Sequence, residues 1–237
     1  MAPSPVLSRF TVVLLDMNGT LMFGGDRFGA EQDFAATYRA LGGHRLAADV
    51  VQATIAACYA TMGAIYEDPA RCDSFPRVSD TLREIPAAHD LPEAELELLE
   101  RVIAQHELGR IPDAYARAIT RLAATHRLGL IANILSGKGP WLREFARAGV
   151  LHLFATTVFS SDTRSIKPSR KLFDQAVTAL GASRSEVVFV GDSLRCDIGG
   201  AAAAGLATVW IDRTGHGRQA RDPEPGFVVR DLLDLVP

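Results

Sequence analysis

Thr11-Val12-Val13-Leu14-Leu15-Asp16-Met17-Asn18-Gly19-Thr20 is the stretch that decides the fold. Five apolar or β-branched residues in a row read as a strand buried on both faces, as strands of parallel sheets are. The run stops at a carboxylate and passes into the turn-forming Asn18-Gly19 pair. Working outward, Leu128-Gly129-Leu130-Ile131-Ala132, Thr156-Thr157-Val158-Phe159, Val187-Val188-Phe189-Val190 and Thr208-Val209-Trp210-Ile211 repeat the pattern. Helix-like segments at residues 112–126, 172–180 and 198–204 separate them. This alternation predicts an α/β fold, a doubly wound parallel sheet with a Rossmann-like core and helices on both faces.

Residues 23–110 break the pattern, with few strand-like runs and helical stretches at 32–41, 47–62 and 92–107. The expected organisation is a core of residues 1–22 and 111–237 carrying an inserted helical unit at 23–110. Gly24-Gly25 and residues 109–112 are turn-prone and suit the two crossings, with Gly24-Gly25 a candidate hinge.

Composition narrows the function. The 237 residues are 48% hydrophobic and 22% charged, which excludes a disordered chain or a rod. The net charge of −3, with basic residues dispersed among acidic ones, predicts no nucleic-acid partner. No basic start with an apolar run opens the chain and no uninterrupted apolar stretch nears the ~18 residues of a membrane span, so no membrane partner is expected. Three cysteines, Cys58, Cys72 and Cys196, lack CxxC spacing and fit a reducing cytoplasm. Oligomeric state is not legible.

In an open parallel sheet, ligands bind at the carboxyl ends of the strands. The positions there that carry or flank polar groups are Asp16, Ala132-Asn133, Asp162 with Lys167, and Gly191-Asp192-Ser193 with Asp197. A strand-end Asp is suited to attack phosphorus if a divalent cation and a lysine offset the repulsion between carboxylate and phosphate. Mg2+ takes carboxylate and carbonyl oxygens plus water, so Asp16, the Asn18 carbonyl, Asp192 and Asp197 are the candidate ligands. Lys167 is the candidate neutralising cation, and the backbone N–H groups of the Asn18-Gly19-Thr20 loop are candidate phosphate donors.

These blocks make the chain similar to the haloacid dehalogenase (HAD) superfamily of hydrolases. Its DxDGT block is met by Asp16-Met17-Asn18-Gly19-Thr20 except at one position, its Lys-Pro by Lys167-Pro168, and its GDSxxxD by Gly191-Asp192-Ser193-Leu194-Arg195-Cys196-Asp197. The resemblance implies that Asp16 is the nucleophile, that residues 23–110 form a helical cap, and that Gly19, Thr20, Ala132 and Asn133 border the phosphate. Two positions depart from the family. Asn18 stands where its phosphatases carry the general acid and base, and an amide cannot exchange a proton at neutral pH. Ala132 stands where a Ser or Thr hydroxyl would bind phosphate, with Ser136 or the Asn133 amide as stand-ins.

Taken singly, these residues have plainer explanations: a turn for Asp16, an exposed loop for Lys167, a helix dipole for Asp197, a loop cap for Asp162, a helical first turn for Arg195. Their joint order and spacing carry the functional reading. The leading one is an Mg2+-dependent phosphohydrolase of a small phosphorylated metabolite, working through an aspartyl-phosphate on Asp16 and slowed by Asn18. The alternatives are a metal-independent 2-haloacid dehalogenase, whose relatives also lack the second Asp, and a catalytically impaired phosphometabolite-binding protein.

Overall fold

The computed structural model describes residues 5–236. Its centre is a six-stranded sheet in the order β3-β2-β1-β4-β5-β6, with every pairing parallel. The strands are β1 (Val12–Leu15), β2 (Arg127–Ala132), β3 (Phe154–Phe159), β4 (Val187–Gly191), β5 (Ala207–Ile211) and β6 (Phe227–Val229). The sequence reading has five strands. The sixth is a three-residue edge, Phe227-Val228-Val229, apolar throughout but too short to stand out as a strand.

Strand periodicity distributes the core. Val13, Leu15, Leu128, Leu130, Val188 and Val190 face one side. There they meet Ile119 and Leu122 of helix α5 (Asp113–Ala123) and Trp141 and Phe145 of helix α6 (Gly139–Arg147). Val12, Leu14, Val187 and Phe189 face the other, against Leu172, Phe173, Ala176 and Leu180. These four belong to a helix spanning Arg170–Leu180, capped by the Ser169 hydroxyl and ended by Gly181 at φ +57°.

Between β1 and α5 the chain forms four helices, α1 (Phe34–Ala40), α2 (Ala48–Glu67), α3 (Val78–Glu84) and α4 (Glu93–Glu107). They enclose an apolar cluster of their own, including Tyr38, Ile55, Met62, Leu82 and Leu99. The chain enters and leaves this unit side by side: Phe23 and Arg110 exchange both backbone hydrogen bonds, and Asp26 N–H donates to Glu107 O. Gly24 is at φ +73°, and a Cβ on Gly25 would lie 2.3 Å from that Glu107 oxygen, so both glycines are required. Helix α2 is long and apolar enough by composition to cross a membrane, with mean hydropathy 1.2. Its Val51, Ile55, Cys58 and Met62 face is instead packed in the unit's core, and alanines make up most of its open face.

The site follows from the sheet. Strand β1 lies between β2 and β4, and the chain reverses direction across the sheet there, leaving a crevice at the strands' carboxyl ends. Leu15 pairs with Val190, which brings Asp16 alongside Gly191 and within reach of Asp192.

Candidate active site

Asp16 is buried, 6% exposed, yet its carboxylate is fully engaged. Its Oδ1 accepts from Lys167 Nζ at 2.5 Å, and its Oδ2 accepts from the Thr20 hydroxyl at 2.9 Å. The same Lys167 ammonium donates to Asp197 Oδ1 at 2.7 Å, and Asp197 Oδ2 accepts from Ser193 N–H at 2.9 Å. Burial works against the lysine charge, but the two carboxylates outweigh it and hold the ammonium well above its ordinary range. Asp197 sits on a π-helical turn, Leu194–Gly199, in which the N–H groups of Asp197 and Ile198 both donate to Ser193 O. This wider turn aims the carboxylate inward at Lys167.

Carboxylate oxygens of Asp16, Asp192 and Asp197 lie within 4.8 Å of one another. Against the pull of Lys167, burial and the charges of Asp16 and Asp197 push Asp192 up to about 7, and burial and the charge of Asp16 push Asp197 up to about 6. Hard oxygen donors crowded at mutually repulsive distance are the chemistry of a divalent-cation site, and the set fits Mg2+. Asn18 bridges to Met22 through hydrogen bonds of Met17 and Gly19, which leaves the Asn18 carbonyl unused by the loop. A Cβ on Gly19, at φ +76°, would sit 2.0 Å from Asp192 Oδ2, so only glycine lets the loop approach this carboxylate.

A stability prediction follows from these shifts. Carboxyl groups raised on folding bind protons more tightly in the folded state, so stability falls as pH rises from about 4, their unfolded range, towards 7. Urea unfolding without divalent cation is expected to show this fall, and added Mg2+ to reverse it. A flat profile insensitive to Mg2+ would argue against a cation site.

Other sequence-derived residues take different places. The Gly19 and Thr20 N–H groups donate to Met22 O and Met17 O, so they are committed to the turn and not open to phosphate. Thr20 acts through its hydroxyl on Asp16. Asn133 clamps the lysine segment: Lys167 N–H donates to Asn133 Oδ1 at 2.8 Å and Asn133 Nδ2 donates to Lys167 O at 3.3 Å. Ala132 closes β2 with no hydroxyl, and Ser136 Oγ is buried without a hydrogen bond among the described residues. The hydroxyl serving this loop is Ser160, bonded to both N–H and C=O of Ile134 at 2.9 Å. Sequence reading missed it because it opens the turn that follows β3, remote from the motif it supports. Asp162 pairs with Lys138 at the surface, and Arg195 pairs with Glu67 and stands 5.2 Å over the Tyr66 ring.

Asn18 is exposed, and its side chain makes no hydrogen bond among the described residues. It opens into a cavity of about 550 Å³ between the sheet's carboxyl end and the four helices.

A family model for haloacid dehalogenase-like hydrolases matches residues 10–205, most of the chain and all of the residues gathered here. The chain belongs to that family. Among its relatives, the phosphoserine phosphatase of Thermus thermophilus is 34% identical over 148 residues, 61% of this HAD chain and 57% of that protein. The glyceraldehyde 3-phosphate phosphatase of Methanopyrus kandleri is 33% identical over 158 residues, 61% of this chain and 66% of that protein. The matched HAD segments thus span less than two thirds of either relative. Of solved structures, the 2-haloacid dehalogenase of Pseudomonas syringae pv. Tomato superposes with TM-score 0.65 at 22% identity, over 95% of this chain and 96% of that one. A HAD phosphatase of Thermococcus onnurineus gives 0.62 at 23% identity, with the same coverage. At those identities the likeness speaks to the HAD fold alone.

Proposed function

We propose that this HAD protein is a Mg2+-dependent phosphohydrolase of a small phosphorylated metabolite, with Asp16 as nucleophile and the helical unit at 23–110 as its cap. The observation that carries the reading is the Lys167 ammonium held between Asp16 and Asp197 while Asp192 faces the same point. The Lys167 ammonium fixes the orientation of Asp16, and Thr20 holds the second oxygen, so the carboxylate is preorganised for in-line attack on phosphorus. Bound Mg2+ would be held by Asp16, Asp192 and the Asn18 carbonyl, where it offsets phosphate charge. The Asp16–phosphorus bond forms as the ester oxygen leaves. That oxygen must take a proton, and Asn18 has none to give. Water must then attack the aspartyl-phosphate without a carboxylate at position 18 to deprotonate it, so the second half should be the slower one.

Metal-independent dehalogenation fits less well. Without a cation, Asp192, the exposed member of the carboxylate set, would face an anionic haloacid directly. A binding role without turnover rests on the missing acid and the missing hydroxyl at Ala132, but the nucleophile and its lysine are fully assembled. A cytoplasmic setting is supported by the three free cysteines.

Rapid mixing with an aryl phosphate tests the proposal. An alcohol-release burst close to one equivalent is expected, dependent on Mg2+ and absent in Asp16→Asn. Halide release that survives chelation would favour dehalogenation, and silence towards both substrates would favour binding alone.

A further inference from the structure

The leaving-group side of the cavity has a chemical bias that the phosphate site does not explain. Its wall carries Asp26, Glu67 and Glu107, and among the described residues no lysine, arginine or histidine lines it. Glu67 is answered by Arg195 from outside the cavity, but Asp26 and Glu107 are paired with no cation among the described residues. Asp26 Oδ1 accepts from the Tyr59 hydroxyl at 3.1 Å. Glu107, 5% exposed at the C-terminal end of α4, accepts from the N–H groups of Leu135 at 2.6 Å and Ser136 at 3.3 Å. Burial pushes Glu107 up to about 8, the two N–H groups pull it back, and the charge of Asp26 adds to the rise. A buried carboxyl so held is one that a positive group would stabilise.

A second feature of the wall points the same way. Three aromatic rings, Tyr59, Tyr66 and Phe75, line the cavity with the acids. Tyr59 is stacked on Phe28 at 3.9 Å between centroids, and Tyr66 meets Phe75 edge-on at 6.5 Å, so these rings are fixed by packing. Tyr66 already carries the Arg195 guanidinium over its ring, and the faces of Tyr59 and Phe75 beside Asp26 and Glu107 attract an organic cation and repel a second anion.

We propose that the cavity selects phosphomonoesters whose alcohol portion carries an ammonium group and no carboxylate, with Glu107 as the specificity-determining residue and Asp26 and the aromatic wall in support. The proposal rests on Asn18 marking the leaving-group side of a phosphoryl site, the reading given above. It assigns the Glu107 carboxylate to the ammonium and leaves the phosphate to Lys167 and to the cation that Asp16 and Asp192 would hold. A diacid such as a phosphorylated hydroxy acid would place its carboxylate against Glu107 and Asp26.

Equilibrium binding separates this from the hydrolysis question, because phosphonates bind without turnover. Calorimetric titration of the full chain in Mg2+ would use three probes of matched length: aminopropylphosphonate, butylphosphonate and phosphonobutanoate. The ammonium probe is expected to bind about tenfold more tightly than butylphosphonate, as a charge-assisted hydrogen bond in a buried setting implies, and phosphonobutanoate more weakly than either. Glu107→Gln should bring the ammonium-to-alkyl ratio close to one, a readout that a general loss of affinity does not move. If Glu107→Gln fails to fold, Asp26→Asn at the exposed side of the wall should still lower the ratio. Equal affinities, a preference for phosphonobutanoate, a ratio unchanged by both substitutions, or no binding of any probe would overturn the proposal. The aryl phosphate burst is read independently, so hydrolysis can fail while this ranking holds, and the ranking can fail while hydrolysis holds.

Discussion

Asn18→Asp is expected to raise steady-state turnover of an alkyl phosphate by about 10² to 10⁴-fold, the usual contribution of a positioned general acid and base. The substitution changes one atom type and little shape. Position 18 is exposed towards the cavity and its side chain is bonded to nothing among the described residues, so no packing has to adjust and the effect on stability should be small. The new carboxyl would stand on the leaving-group side of Asp16, able to protonate the departing oxygen and then to take a proton from water. The gain should depend on the leaving group. An aryl oxygen departs without much help, so the first turnover should change little while later turnovers accelerate, and the burst of the natural protein should merge into a linear trace. An alkyl oxygen needs the proton, so both phases should accelerate. Stopped-flow traces for the two substrates, with Asp16→Asn as the inactive control, check this. Equal alkyl phosphate turnover in the natural protein and Asn18→Asp would mean that another group supplies the proton or that phosphoryl transfer is not the reaction.

The parts legible in the sequence are those where local pattern and tertiary role coincide. Val12 to Leu15 is apolar at every position because both faces of the central strand are covered, so the strand and its terminal Asp16 are written in one continuous run. Lys167, Asp192 and Asp197 are legible only in company, because nothing in the sequence of a Lys-Pro pair shows a lysine fully buried between two carboxylates. The rest is long-range. Ser160 supports the loop after β2 from the turn that follows β3, and Glu107 reaches that loop from the end of α4, contacts 26 and 28 residues apart in sequence that no periodicity encodes. The free-looking N–H groups of Gly19 and Thr20 are a further case. An Asn-Gly turn announces available donors, but the tight return to Met22 turns these two inward.

Lys167→Met is expected to abolish measurable turnover and to destabilise the fold, and its dependence on pH distinguishes the cause. Lys167 is 2% exposed and neutralises Asp16 and Asp197 together, so its removal leaves two buried carboxylates without a cation. Breaking a buried pair from one side costs about 3–5 kcal/mol, because the remaining charge is desolvated and unanswered. The natural lysine is held above its ordinary range, so its stabilising contribution is complete below the unfolded value of about 10.4 and is lost only as pH rises through the still higher folded value. Around neutrality the natural protein therefore shows no titration of this group. In Lys167→Met the sign reverses onto the acid side. Asp197, raised by burial and the charge of Asp16 and no longer pulled back by the lysine, binds protons more tightly folded than unfolded, so the deficit should be small near pH 5, where protonation removes the buried charge, and large near pH 8. Urea midpoints at the two pH values measure it, and Mg2+ at pH 8 should recover part of the loss by answering the same carboxylates. A deficit equal at both pH values and untouched by Mg2+ would mean that the methionine disturbs packing against Phe189, whose ring lies 5.5 Å from the ammonium. Lys167→Arg keeps the charge but not the compact point geometry, and a fork of five donors has no room between carboxylates 2.5 and 2.7 Å from one nitrogen. That variant should regain stability at pH 8 before it regains turnover, since the fold needs a positive charge at this point and in-line attack needs Asp16 held in one orientation.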